Sequence, residues 1–95
     1  MDPVFKRSPE YVYRRIGDES VLVPIGRKMH EKFGLFRLNE VASDAWDLLE
    51  RPRSVDEIVG TLLERYEVDR PTLESDIGKL IDQLCEAGLA MRQKR

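Results

Sequence analysis

The chain has 95 residues, a net charge of −2, 41% hydrophobic side chains and a single cysteine, Cys85. That length supports one domain with one modest core, because so short a chain buries only about two thirds of its unfolded surface. An internal disulfide and a multi-cysteine metal cage are excluded, no apolar run approaches the roughly 20 residues needed to cross a bilayer, and the N-terminus lacks the apolar centre of a signal peptide, so a soluble cytoplasmic protein is expected.

Residues 1–10, with Pro3 and Pro9 and little periodicity, read as a lead-in, residues 11–91 as the folded domain and 92–95 as a flexible tail. Tyr11 to Ile16 reads as a first strand, with Tyr11, Tyr13 and Arg15 on one face and Val12, Arg14 and Ile16 on the other. The alternation alone does not say which face is buried. Gly17-Asp18-Glu19 is a turn. Ser20 to Ile25 is a second strand, in which Val21 and Val23 oppose Leu22. Pro24 predicts either an edge position or early termination, because proline cannot donate to a ladder. After the polar connection Gly26 to Glu31, Lys32 to Leu38 is a third strand, with Gly34, Phe36 and Leu38 on one face and Phe33, Leu35 and Arg37 on the other. The short connections favour an antiparallel meander.

Three helices follow. Asn39 is an N-cap, its side-chain oxygen available to a free backbone N–H, and the first helix should run to about Glu50, before Pro52. Ser54-Val55-Asp56-Glu57 is a capping box. From Val55 to Tyr66 the residues Val55, Ile58, Val59, Leu62, Leu63 and Tyr66 form one apolar stripe. Asp69 and Pro71 open a third helix that runs to Ala87, with a stripe of Leu73, Ile77, Leu80, Ile81 and Leu84 and a left-handed stop at Gly88. Leu89, Ala90 and Met91 read as a short extension packing back. The expected architecture is an α+β, winged-helix-like domain: a three-stranded antiparallel sheet followed by three helices.

The catalytic inventory is thin. His30, the one histidine, falls in a polar loop, and Cys85 sits beside an apolar stripe with nothing near it in sequence to activate a thiolate. No phosphate loop, nucleotide fingerprint or metal-spaced cluster occurs, and Trp46 reads as a core residue. The expectation is a non-enzymatic module without cofactor or metal.

Charge distribution then separates the binding classes. Residues 1–38 carry eight Lys/Arg against five Asp/Glu, whereas residues 54–88 carry three against nine. A DNA-binding regulator is the alternative reading of a winged-helix shape, but its recognition helix would hold Glu74, Asp76, Asp82 and Glu86 against Lys79, a charge that phosphates repel. Peptide capture suits the pattern better. If the third strand is a sheet edge, an extended peptide can pair with Lys32 to Leu38 and rest against the third helix. At 100° per residue Asp76, Leu80, Gln83 and Ala87 lie on one flank of that helix, and Gly78, Ile81 and Cys85 on the other. A homodimer, with the same edge pairing to its own copy, is a third reading.

An ordered series of motifs carries a resemblance. Leu38-Asn39-Glu40, Ala45-Trp46-Asp47-Leu48-Leu49, Ser54-Val55-Asp56-Glu57-Ile58-Val59, Tyr66-Glu67-Val68-Asp69, Asp76-Ile77-Gly78-Lys79-Leu80-Ile81-Asp82-Gln83-Leu84 and Gly88-Leu89 resemble the PqqD-like proteins, the precursor-peptide recognition elements of ribosomally made, modified peptides. The resemblance implies that a precursor leader adds as a strand to the third β-strand beside the third helix and is delivered to a modifying enzyme, in the founding pathway a radical S-adenosylmethionine protein acting on the way to pyrroloquinoline quinone. By position it implies contact residues Phe33, Leu35, Phe36 and Arg37 on the strand and Asp76, Lys79, Leu80 and Gln83 on the helix, of which Lys79 rests on the resemblance alone. Pro24-Ile25-Gly26 stands where proteins of the quinone pathway carry Pro-Glu after the second strand, which resembles the broader clan serving other peptides.

Overall fold

The computed structural model describes residues 3–24 and 36–93. Among them the chain forms five strands and three helices: β1 (Val4–Arg7), β2 (Tyr11–Ile16), β3 (Glu19–Pro24), β4 (Phe36–Leu38), α1 (Glu40–Leu48), α2 (Val55–Leu63), α3 (Arg70–Glu86) and β5 (Ala90–Gln93). The expected antiparallel sheet is present in the order β2-β3-β4. Gly17 makes the tight turn between β2 and β3 at φ +64°, a conformation that glycine adopts without a Cβ penalty. Pro24 is the last described residue of β3, which is the central strand among the described ones, so the proline does not mark an edge strand.

Register decides which strand face is buried. Tyr13 pairs with Leu22 and Leu22 with Phe36, while Ser20 pairs with Leu38. Leu22, Ser20 and Leu38 are fully buried, and Tyr11, Tyr13 and Phe36 pack against the same core. The opposite parity carries Val12, Arg14, Ile16 and Arg37, all exposed. Three helices cover the inner face. Their stripes supply Ala45, Trp46 and Leu49 from α1 and its cap, Ile58, Val59 and Leu62 from α2, and Leu73, Ile77, Ile81 and Leu84 from α3. Trp46 lies beneath β2, its ring 5.0 Å from the Tyr11 ring in an edge-on arrangement. Ile81 belongs to this core as its place in the apolar stripe predicts, and so does Ala87, assigned by helical angle to a flank of α3.

The three N-caps are Asn39, Ser54 and Asp69, each accepting from a backbone N–H in the first turn, and Ser54 with Glu57 completes the capping box. α2 ends at Leu63, short of the expected Tyr66, because the chain tightens: Glu64 N–H donates to the Thr61 carbonyl at 3.2 Å and Arg65 N–H to that of Leu62 at 2.9 Å. α1 likewise stops at Leu48, with Leu49 as its cap. Gly88, at φ +77°, follows α3 as expected.

A second, two-stranded sheet departs from the expected organisation. β1 lies in the lead-in, and it pairs antiparallel with β5 from Val4 opposite Gln93 to Arg7 opposite Ala90. Val4 is buried, Phe5 exchanges backbone hydrogen bonds with Arg53 at 2.8 and 2.9 Å, and Arg7 N–H donates to the Leu49 carbonyl. The lead-in is therefore a structural strand, and Arg92 and Gln93, assigned to the flexible tail, are part of its partner.

Candidate peptide-binding groove

The third strand was expected over Lys32 to Leu38, and the described part of it is Phe36–Leu38; Phe33, Leu35 and the loop residue His30 lie outside the described residues. Among the described residues β4 pairs with β3 alone, so no described strand covers its other side, where a further strand could add. Phe36 and Leu38 turn inward to the core. Arg37 turns outward, where its guanidinium stands 3.8 Å from the Glu19 carboxylate in an exposed pair.

Asn39 directly follows β4 and begins α1, its Oδ1 accepting from the Ala42 N–H at 2.8 Å. This junction opens onto a cavity of about 220 Å³ between α1 and α3. Val41 and Ala42 line one wall, Leu73, Ile77 and Leu80 the other, and Val68 one end; Asn39, Thr72 and Asp76 are its polar groups. The walls exist because α3 turns one side of its stripe away from the packed core. Leu73 and Ile77 are buried, Leu80 one turn on is half-exposed, and Val68 before the helix is 44% exposed. The N-terminus of α3 is held by Asp69, which accepts from the Thr72 N–H and, at 2.8 Å, from the Thr72 hydroxyl. Those bonds hold the Asp69 carboxyl below its usual range. Arg70 reaches both Asp56 at 3.0 Å and Glu74 at 3.1 Å, tying the first turns of α2 and α3.

The structure thus brings together Asp76 and Leu80 at the cavity, directly after the β4 edge that carries Phe36 and Arg37. Lys79 and Gln83 are exposed on α3 and do not line it. Sequence reasoning missed Val41, Ala42 and Val68. Only the tertiary approach of α1 to α3 makes them neighbours; the half-apolar first turn after Asn39 was the one available signal.

A larger, more open hollow of about 520 Å³ lies beside β1, lined by Lys6, Arg7, Ser8, Pro9, Tyr11 and Glu50. Its central cation is engaged in holding the fold together. Arg7 stacks 5.5 Å from the Trp46 ring and 5.7 Å from the Tyr11 ring, and donates to the Trp46 carbonyl at 3.4 Å. Cys85 is half-buried, and burial, with Asp82 nearby, pushes its thiol up, away from nucleophilic use. No helix among the described residues is long and apolar enough to cross a membrane.

Comparison with known proteins shows the family. The family model for PqqD, coenzyme PQQ synthesis protein D, matches residues 19–90. A solved structure of TbiB1 in complex with the TbiA(beta) leader peptide is 32% identical, with a TM-score of 0.72, covering 95% of this chain and 99% of that one. A lasso peptide synthetase B1 complexed with its leader peptide is 29% identical, with a TM-score of 0.69, covering 92% of this chain and 96% of that one. No curated protein matches the chain. The family match runs from the start of β3 through α3 to the start of β5, a span that contains every residue lining the cavity, and the chain belongs to the PqqD family.

Proposed function

We propose that this protein binds the leader segment of a ribosomally made precursor peptide as an added strand on β4 and presents it, without chemistry of its own, to a modifying enzyme in the cytoplasm. The observation that carries the reading is the continuity of an edge strand with a cavity: β4 pairs only with β3 among the described strands, and the next residue, Asn39, lines the space beside α3. Main-chain bonds to the edge give affinity, and the alternate side chains that enter a pocket give specificity. In this reading Phe36 and Arg37, with Phe33 and Leu35, flank the added strand, while Asp76 and Leu80 meet its side chains at the cavity and Lys79 and Gln83 meet them farther along α3. Two related proteins are described as complexes with leader peptides, which favours this occupant. α3 exposes Glu74, Asp76, Asp82 and Glu86, a poor surface for nucleic acid.

The test is a titration with a fluorescent leader of the protein's precursor peptide, with the TbiA(beta) leader as a second probe. Saturable binding in the micromolar to submicromolar range is expected, since ordering the peptide offsets much of the contact energy. Absence of binding to the cognate leader contradicts the proposal.

A further inference from the structure

The helices cover one face of the three-stranded sheet and leave the other to be explained. Register places Val12 opposite Val23, Val21 between Arg14 and Arg37, and Ile16 opposite Glu19, all on the outer face. Ile16 is 67% exposed and Val12 43%, and Val21 and Val23 between them are half-buried. Four aliphatic side chains therefore adjoin one another with an arginine on either side. Strand propensity alone accounts for branched residues on such a face. It does not account for the cations: the Arg14 side chain makes no hydrogen bond or ion pair with a described residue, and that of Arg37 has only its exposed 3.8 Å pair with Glu19.

We propose that this outer sheet face is the docking surface for the enzyme that modifies the carried peptide, and that the enzyme meets it with apolar side chains flanked by carboxylates. The inference rests on the leader-carrier reading. A second copy of the chain is a poor occupant. Face-to-face association gathers Arg14 and Arg37 of both copies into one interface, against one carboxylate from each copy among the described residues of the face, Glu19. Three strands at the usual spacing present only about 300 Å², far below the about 800 Å² per partner of a stable interface. So small a face needs a second contact, and the leader along β4, at the border of this face, supplies one. With both ends of the assembly joined, the second contact becomes intramolecular. Docking should therefore be much stronger with leader bound than without it.

The decisive experiment separates strand propensity from docking. Val12→Thr, Ile16→Thr, Val21→Thr and Val23→Thr together keep every branched Cβ and remove the apolar face; Arg14→Glu, at an exposed position, reverses the charge and keeps the test decisive if the quadruple variant folds poorly. With the purified enzyme that modifies that precursor, each variant should bind leader within twofold of wild type, while enzyme affinity and the modification rate at subsaturating carrier fall at least tenfold. Unchanged enzyme affinity and rate would overturn the proposal. So would a concentration-dependent wild-type dimer abolished by the variants, which makes the face a self-interface, or binding to phosphatidylserine vesicles abolished by them, which makes it a membrane surface. Failure of wild type to bind leader in the enzyme-free assay overturns the carrier reading itself, and this inference with it.

Discussion

The hydroxyls of Ser20 and Ser43 are hydrogen-bonded to each other, and both residues are wholly buried. The pair joins the central strand β3 to α1 directly beneath the end of β4, because Ser20 is the register partner of Leu38 and the Ser43 hydroxyl also stands 3.5 Å from the Leu38 carbonyl. Two small polar groups thereby fix the last residue of β4 against the helix that begins the cavity wall.

The two removals should not be additive. Ser43→Ala leaves the Ser20 hydroxyl buried without a described partner and should destabilise by about 1–3 kcal/mol. Ser20→Ala costs less, since Ser43 keeps the Leu38 carbonyl within reach. The double variant should be more stable than the sum of the singles predicts, as read from urea unfolding curves and a double-mutant cycle.

Leu80→Asp tests the cavity. Leu80 is half-exposed on α3 and lines the cavity between α1 and α3, where the proposed function seats peptide side chains. A carboxylate there should weaken leader binding at least tenfold, about 1.4 kcal/mol, while far-UV helicity is retained. Wild-type affinity in a folded variant would remove the cavity from the binding site.

Alkaline pH tests the clasp between α1 and the end of α2. The Tyr66 hydroxyl donates to Asp44 at 2.6 Å, and that bond, with desolvation and the Asp44 charge, pushes the phenol up to about 12 from 10.0. A folded-state value above the unfolded one means that the contribution is complete below pH 10 and is lost as pH rises from about 10 to about 12. Tyr66→Phe should therefore be less stable than wild type at neutral pH, and the difference should shrink across that window. A constant difference through pH 12 would show that the bond is not what raises the phenol.

The capping box gives a stability test away from the groove. Ser54 is buried, accepts from Glu57 N–H at 3.1 Å, and its own N–H donates to Glu57 Oε1 at 2.9 Å. Ser54→Ala should cost about 1 kcal/mol and lower Tm by about 4–8 °C, with leader affinity unchanged.

Local chemistry was legible in the sequence where it acts over a few residues. Asn39, Ser54 and Asp69 cap the helices they were assigned to, and β2 spans Tyr11 to Ile16 as alternation predicts. The β1–β5 pair was illegible because four-residue strands carry little periodicity and their partners lie at opposite ends of the chain. The groove was half legible: helical angle brought Asp76 and Leu80 together, but Val41, Ala42 and Val68 reach them only through packing of α1 on α3. Ala87, on the same predicted flank, is core, since helical angle does not distinguish a groove from a neighbour that fills it.

The most direct measurement is backbone amide exchange of the isotope-labelled protein, free and saturated with its leader. An added strand on the open side of β4 predicts new protection within Phe36–Leu38, together with shift changes at Asp76 and Leu80. Saturable binding that leaves Phe36–Leu38 unprotected, with its changes confined to β1 and β5 or to the outer sheet face, would contradict the account.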